Sequence, residues 1–308
     1  MKLEGIHHIT AITADAVGNV DFYAGVLGLR MVKQTVNQDD PTVYHLFYGD
    51  DDGSPGMDLT FFEYPGAARG RPGAGMVHRI VWRVGSAASL EFWAGRLEEH
   101  GVAIEAGADG SLLFEDPEGL AHELLVADVP DSPLRASAPG VPPEHALQGF
   151  EGARAYTADP ALSAGLLLET LGFTTADGER WEVRGEERGS FYAYDAAPPE
   201  AVASQGAGTV HHIAFASLAA DEEAWRARVA ESGEHPTPII DRFYFRSVYF
   251  REPSGVLFEI ATIGPGFAVD EDAAHLGERL SLPPRFEPLR ERLQGILTPL
   301  PYPRPPEG

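Results

Sequence analysis

The chain has 308 residues, a formal net charge of −24, a hydrophobic fraction of 44% and no cysteine. The absence of cysteine excludes disulfides, thiolate zinc sites and a cysteine nucleophile, and the hydrophobic fraction excludes a broadly disordered chain. The negative charge argues against nucleic acid and against an anionic membrane as partners. The length predicts roughly two domains. A start without an apolar leader, and the lack of any apolar run of about 18 residues, favour a cytoplasmic protein.

The first predicted unit occupies the first 64 residues. A strand pattern at 6–13 is followed by a helix pattern at 20–29, which ends in a Gly-Leu turn. Strand-like runs follow at 42–48 and 57–64. This order predicts one strand, one helix and then further strands.

Three more units repeat this order. They begin near Met76, Phe150 and Val210. Their helix patterns cover residues 90–101, 162–173 and 222–232. Their later strand-like runs lie at 121–126, 180–184, 191–194 and 256–262. The repeat therefore predicts an α+β protein made of four βαβββ units.

Two Pro-x-Gly turns, at 115–120 and 251–256, resemble each other closely. Each precedes a strand that carries a glutamate, Glu123 in the second unit and Glu259 in the fourth. This likeness supports the assignment of both segments to equivalent places in their units.

The predicted domains follow the two halves of the chain. We expect a first domain at 1–130, a linker rich in proline and serine at 131–145, a second domain at 146–263 and a tail at 264–308. One amphipathic helical stretch, 284–297, lies in the tail. It predicts either a segment that wraps around the protein or one that docks a partner.

The strands that open the first and fourth units each carry a pair of histidines. Side chains alternate across a strand, so adjacent histidines point to opposite faces. His212 shares its face with small residues, His8 shares its face with Thr10, and Glu259 lies on a face with Ala261. We therefore select His8, His212 and Glu259 as metal ligands. Two imidazoles and one carboxylate are the set that leaves open positions on Fe(II).

The other member of each pair, His7 and His211, is expected to support the ligands by hydrogen bonds. Because the two histidine pairs are expected to contribute to one site, the sequence also predicts that the opening strand lies beside the fourth unit. Glu63 closes the last strand of the first unit, and an inward orientation would add a second carboxylate to the site.

A competing site would use His78 and Glu123 of the second unit. The third unit offers Arg154 where a further ligand would be needed, and arginine does not bind metals, so we predict that this place is inactive. The remaining histidines show no comparable spacing and are predicted to be surface or structural residues: His45, His100, His122, His145, His235 and His275. The sequence has no phosphate-binding loop, dinucleotide fingerprint or G-x-S-x-G elbow.

These features resemble the vicinal oxygen chelate superfamily, which includes glyoxalase I, bleomycin-resistance proteins and extradiol dioxygenases. Within it, the chain is similar to ring-cleaving dioxygenases that act on hydroquinones. The similarity extends through nearly the whole chain. The matching stretches are GIHHITAIT, VDFYAGVLGLRMVKQTVN, YHLFYGDDDGSPG, PPEHALQGF, VHHIAFA, DRFYFRSVYFREPSGVLFEIAT and GFAVDEDAAHLGERLSLPP.

The resemblance implies that the four units pair into two open β-barrel-like domains. It implies that the first and fourth units jointly hold one Fe(II), with Mn(II) as the alternative, through the same three ligands selected above. It further implies a small aromatic substrate, O2 and a homo-oligomer. The residues that it places around the reacting atoms are His7, Thr10, His211, Arg242 and Tyr249.

The expected function is an Fe(II)-dependent dioxygenase that opens a hydroquinone- or catechol-type ring. One alternative is a glyoxalase-like lyase or isomerase that uses Glu63 as a fourth ligand to Ni(II) or Zn(II). Another is a binding protein without catalysis that sequesters an aromatic compound or an antibiotic. The hydroquinone enzymes have no carboxylate at the place of Glu63, which speaks against a chlorohydroquinone substrate.

Overall fold

The structure, a computed structural model, describes residues 1–175, 177–199 and 202–301. Strands make up most of the regular structure in these ranges. The strands are β1 (Ile6–Thr13), β2 (Arg30–Val36), β3 (Tyr44–Gly49), β4 (Asp58–Glu63), β5 (Met76–Val84), β6 (Ile104–Ala106), β7 (Leu112–Glu115), β8 (Ala121–Val126), β9 (Phe150–Thr157), β10 (Thr174–Thr175), β11 (Arg180–Arg184), β12 (Gly189–Ala196), β13 (Thr209–Ser217), β14 (Ile240–Asp241), β15 (Arg246–Arg251) and β16 (Leu257–Thr262).

Each of the four units contributes one helix after its first strand. The helices are α1 (Ala16–Val20), α2 (Ala87–Glu99), α3 (Ala161–Gly165) and α4 (Glu222–Glu231), and the tail adds α5 (Arg290–Gln294). Helices α1 and α3 continue into π-helical turns at Asp21–Val26 and Leu166–Thr170. None of the helices in the described ranges is long and apolar enough to cross a membrane.

The four βαβββ units predicted from the sequence are confirmed. Five of the later strands, β6, β7, β10, β14 and β15, have no counterpart among the predicted runs. A sixth, β2, directly follows the first helical segment. All of its residues are buried, including Lys33 and Gln34. A strand with polar side chains buried on one face lacks the apolar alternation that normally reveals it.

The strands form two eight-stranded sheets within the described residues. Sheet 1 has the order β14-β15-β16-β13-β1-β4-β3-β2, and sheet 2 has the order β10-β11-β12-β9-β5-β8-β7-β6. Sheet 1 therefore joins the first unit to the fourth, and sheet 2 joins the second to the third. The prediction that the opening strand lies beside the fourth unit is confirmed, since β1 pairs antiparallel with β13. The division into domains at residues 130 and 146 stays a prediction, and each sheet takes one unit from either half of the chain.

The main core lies between the sheets and the helices that cover them. Four large side chains, Trp82, Trp93, Trp181 and Trp225, are almost completely buried there. Full burial of such a side chain stabilises the fold by roughly 2–3 kcal/mol. The core therefore fixes the outer face of each sheet, and the opposite, concave face is left to carry polar groups.

The tail wraps along β2, the edge strand of sheet 1. Lys33, completely buried, donates to the backbone carbonyl of Phe267 and to the Asp270 carboxylate, and Leu280 forms a bridge with Gln34. The predicted helix at 284–297 is shorter in the structure, where only α5 and a 3-10 turn before it form. Pro288 has no amide proton to donate, so a regular helix cannot extend through it.

Candidate metal centre and active site

Three neighbouring strands of sheet 1 bring the predicted ligands together. His8 on β1 pairs with Ala214 on β13, and Ala214 pairs with Glu259 on β16. The side chains of His8, His212 and Glu259 emerge on the concave face and are each 4% exposed or less. Two Nε2 atoms and one carboxylate oxygen meet there. The His8 and His212 Nε2 atoms are 3.3 Å apart and lie 3.2 and 2.9 Å from Glu259 Oε2.

These spacings fit a metal ion. Metal–ligand bonds of roughly 2.1 Å at right angles place neighbouring ligand atoms roughly 3.0 Å apart. Neither oxygen of Glu259 accepts a hydrogen bond of good geometry from the described residues, although this carboxylate is fully buried. A buried carboxylate without hydrogen bonds is costly unless a cation compensates it. The donor set therefore matches the predicted metal site.

The pKa directions of Glu259 and His212 also suit a metal. Burial alone would raise the pKa of Glu259, but the adjacent imidazoles of His8 and His212 hold it well below its ordinary value. Burial lowers the pKa of His212. A charged carboxylate with neutral imidazoles is the form in which these side chains bind metal.

The second histidine of each pair supports its neighbour. His7 Nδ1 lies 3.0 Å from His8 Nδ1, and His211 Nδ1 lies 2.8 Å from His212 Nδ1. A histidine that binds metal through Nε2 carries its proton on Nδ1, so in a metal-bound site His8 and His212 would donate to His7 and His211. Such hydrogen bonds would fix the orientation of both rings.

The structure corrects the position of Glu63. Thr60 pairs with Thr10 on β1, and Thr60 therefore takes the place in the first unit that Glu259 takes in the fourth. Glu63 lies three residues further along β4, on the face turned to α1. Its Oε1 accepts hydrogen bonds from the Ala16 amide and from Thr298. Among the described residues, the group that could hold a metal ion consists of His8, His212 and Glu259, without Glu63.

A cavity of about 370 Å³ opens next to the three ligands. Its walls include aromatic side chains from both units of sheet 1, among them Phe62, Phe245 and Tyr249. Arg242 closes one end, donating from Nη1 and Nη2 to the Asp39 carboxylate at 3.0 Å each. The Arg242 Nε also contacts the Tyr249 hydroxyl at 3.3 Å. The cavity therefore combines a flat aromatic space with a cationic end beside the ligands.

A family model described as the Glyoxalase/Bleomycin resistance protein/Dioxygenase superfamily matches residues 5–124. MhqE and MhqO of Bacillus subtilis (strain 168), assigned as ring-cleaving dioxygenases, are 39% and 42% identical to the chain. Each alignment covers 96% of the chain, with 99% of MhqE and 96% of MhqO. The chain belongs to the ring-cleaving dioxygenases of this superfamily. It is an enzyme of that family, as the sequence predicted.

Two further comparisons agree with this family. The chlorohydroquinone/hydroquinone 1,2-dioxygenase of Sphingobium indicum is 31% identical over 95% of both chains. A Bacillus subtilis crystal structure assigned as a dioxygenase has a TM-score of 0.90 and 39% identity, and covers 97% of this chain and 98% of that one. Glyoxalase I from Zea mays shares the fold alone, with a TM-score of 0.58 and 14% identity over 84% of this chain and 92% of its own. The predicted α+β vicinal oxygen chelate fold is confirmed.

His45 was expected to be a surface or structural residue. In the structure it also lines the cavity beside the three candidate ligands. Its ring packs against Phe47 and Phe62, with centroid distances of 4.0 and 4.5 Å. A single histidine in a strand gives no signal of this kind, because its neighbours come from other strands.

The competing place in sheet 2 is filled by protein side chains. Arg154 forms a two-pronged ion pair with Asp195, and His78 Nε2 lies 2.8 Å from the same carboxylate. Arg79 Nη1 lies 3.3 Å from Glu123. Asp195 and Glu123 each therefore already pair with a cationic side chain of the protein.

Proposed function

We propose that the enzyme is an Fe(II)-dependent dioxygenase that opens a hydroquinone- or catechol-type ring with O2. The observation that carries this proposal is the convergence of His8, His212 and Glu259 on one face, beside a cavity with aromatic walls. The named activities of the relatives support it. Fe(II) is proposed over Mn(II) because two histidines and one carboxylate with open positions are typical of non-haem iron oxygenases.

The three ligands would hold the metal through His8 Nε2, His212 Nε2 and the Glu259 carboxylate. When bound, the metal supplies positive charge that favours the deprotonated form of a substrate hydroxyl, and open positions where the ring and O2 meet. His7 and His211 keep both imidazoles in the tautomer that this binding needs.

The cavity walls orient the ring. Phe62, on β4, and Phe245, before β15, belong to different units and face the same space. Flat apolar walls favour a planar ring and exclude water from it. Orientation of this kind lowers the barrier by holding the reactants in contact before they react.

Proton handling falls to His211, Tyr249 and Arg242. Burial and the nearby His212 lower the pKa of His211 to about 4, so this imidazole is neutral at pH 7. Because its Nδ1 accepts from His212, its ring proton is on Nε2 and is available to a substrate oxygen in the cavity. Burial and the Glu259 charge raise the pKa of Tyr249, so the phenol keeps its proton and donates a hydrogen bond. The Arg242 guanidinium, in contact with Tyr249, stabilises negative charge that develops on a substrate oxygen.

Neither alternative gains support from the site. The glyoxalase-like reading needs Glu63 as a ligand, and Glu63 is on the other face of β4. The same placement removes the argument against a chlorohydroquinone substrate, because Glu63 does not enter the cavity. Sequestration without catalysis gives no reason for a buried, hydrogen-bond-poor Glu259. The cytoplasmic location and the homo-oligomer stay predictions.

Oxygen uptake by protein loaded anaerobically with Fe(II) tests the proposal. We expect consumption of O2 with a hydroquinone or a catechol, and a ring-opened product with two added oxygen atoms. The comparison with Mn(II)-loaded and Zn(II)-loaded protein identifies the active metal, and His235→Ala, at an exposed position, serves as the control variant. Absence of uptake with every ring in Fe(II)- and Mn(II)-loaded protein would refute the dioxygenase function.

A further inference from the structure

Three adjacent strands of sheet 1 carry a chain of hydrogen bonds that ends at a metal ligand. His45 Nε2 on β3 lies 2.9 Å from the Thr60 hydroxyl on β4, and Thr60 lies 2.8 Å from the Thr10 hydroxyl on β1. Thr10 Oγ1 is 3.0 Å from His212 Nε2. Both threonines are 0% exposed. The backbone pairing of β3, β4 and β1 holds the chain in place, so it does not depend on a mobile loop.

The number of available protons sets the donor-to-acceptor direction of this chain of hydrogen bonds. Each threonine hydroxyl has one proton and, when buried, uses it toward one neighbour while accepting from the other. If His45 Nε2 donates to Thr60, then Thr60 donates to Thr10, and Thr10 offers its proton to the site. If His45 Nε2 accepts instead, Thr60 donates to His45 and Thr10 donates to Thr60. Thr10 then presents a lone pair, and no proton, to the site.

The surroundings of His45 restrict its ring. Phe47 and Phe62 pack on it and fix the ring plane that aims Nε2 at Thr60. Burial lowers the pKa of His45 well below its ordinary value, so the ring is neutral and carries a single ring proton. The position of that one proton decides which of the two arrangements the threonines adopt.

We propose that His45 is a positioning residue: its Nε2 proton, acting through Thr60, makes the Thr10 hydroxyl a hydrogen-bond donor to the substrate oxygen that binds beside His212. The proposal rests on the proposed function, because that reaction places an anionic oxygen at this position. An anionic oxygen is stabilised by a fixed donor and repelled by a lone pair. His212 Nε2 does not compete for the Thr10 proton when it binds a metal.

The direction of the chain is measurable without turnover. In the Zn(II)-loaded protein, long-range ¹⁵N–¹H spectra of the histidine rings report which nitrogen of His45 carries the proton. We expect protonated Nε2, and we expect the His45 resonances to shift in Thr60→Val, which breaks the chain at its middle. A proton on Nδ1 would overturn the proposal.

Matched variants separate positioning from packing. His45→Phe keeps an aromatic ring between Phe47 and Phe62 but removes the donor, and His45→Gln keeps an amide donor near the position of Nε2. Loss of one hydrogen bond to a charged group predicts that kcat of His45→Phe falls about tenfold. We expect His45→Gln to retain most of kcat, and His235→Phe, at an exposed histidine, to be unchanged.

A double-mutant cycle decides whether the residues act as one chain. The double variant His45→Phe/Thr10→Val should be no slower than Thr10→Val alone. Thr10→Val already breaks the chain of hydrogen bonds, so the loss of the His45 donor has no further effect. Additive losses, or equal activity in His45→Phe and wild type, would refute the proposal. Metal content equal to wild type in each variant shows that the site is intact. If the wild type consumes no O2 with any ring, the proposed function fails, while the His45 spectra still test the tautomer.

Discussion

Sheets 1 and 2 have the same strand arrangement, but they carry different side chains around the glutamate of their fourth and second units. In sheet 1, Ala214 lies between His8 and Glu259 in the register. In sheet 2, Val81 lies between Gly152 and Glu123. The glutamate is present in both sheets, and the residue that replaces the first histidine is a glycine.

The second histidine is replaced as well. Arg79 precedes Val81 by two residues, as His212 precedes Ala214, and its guanidinium pairs with Glu123. The ring of Phe191 occupies the space that a side chain at position 152 would need. The same position in the register thus places a carboxylate beside an arginine of the protein in sheet 2 and beside two histidines in sheet 1, where we propose that all three residues bind a metal.

The largest difference between the sheets should appear in metal content when Glu259 of sheet 1 and Glu123 of sheet 2 are each replaced by glutamine. Glu259→Gln keeps the shape of the side chain but removes the charge, so we expect metal affinity to fall at least roughly 100-fold, because even the outer partners of metal ligands are worth 10–100-fold. Activity should fall with it. The measurement is metal content after anaerobic loading and gel filtration, followed by oxygen uptake.

Glu123→Gln is the matched control in sheet 2. It breaks the pair with Arg79, and we expect unchanged metal content and unchanged activity. Metal loss in Glu123→Gln, or retained metal in Glu259→Gln, would mean that the two sheets have been assigned the wrong roles.

A second contrast concerns pH, because a histidine of sheet 2 is buried without any ligand role. Burial lowers the pKa of His122 to about 3. Below pH 6.5 the unfolded chain gains a proton there while the folded chain does not, so stability falls on acidification by roughly 1.4 kcal/mol per pH unit until about pH 3. Urea unfolding of metal-free protein between pH 4.5 and 6.5 measures the total slope, to which other buried histidines with a lowered pKa, such as His7 and His211, also contribute. The share of His122 is the difference between the wild type and a variant without this imidazole.

His122→Gln removes the titrating group and keeps a hydrogen-bonding side chain beside Trp82 and Tyr23, which contact His122 in the wild type. We expect a shallower pH slope whatever the stability of the variant at pH 7. A slope identical to that of the wild type would show that this imidazole is protonated in the folded protein.

The smallest expected effect concerns stability, and it tests the close packing of Phe191 against Gly152 in sheet 2. A Cβ at Gly152 would lie 2.6 Å from the ring and from the backbone oxygen of Phe191. We therefore expect Gly152→Ala to destabilise the protein by about 1–3 kcal/mol. Gly95→Ala, in α2 with nothing within 4 Å of the new methyl group, should instead stabilise it by roughly 0.5–1 kcal/mol. Thermal unfolding compares them, and equal shifts would argue against close packing at Gly152.

Local patterns account for what the sequence predicted well. The period-two alternation on β1 and β13 is a property of each strand alone, so the choice of His8 and His212 over their neighbours needed no tertiary information. The structure brings these two residues and Glu259 together, and their role as ligands stays a proposal.

Register between strands accounts for what the sequence missed. Glu63 and Thr60 differ by three positions on β4, and only the pairing with β1 shows that Thr60 is the equivalent of Glu259. His45 has its significant neighbours on β4 and β1, and the Arg242–Asp39 pair joins residues 203 positions apart. Sequence spacing carries no information about such contacts.

The pairing of β1 with β13 also sets an order of events during synthesis. Thr10 leaves the ribosome 202 residues ahead of His212, its partner in the sheet. Until then the first unit has an open strand edge at β1, and open edges pair readily with other chains. Contacts of such long range also slow folding. Nascent first units should therefore be the species most prone to aggregation, and truncations that end before residue 209 should depend most on chaperones.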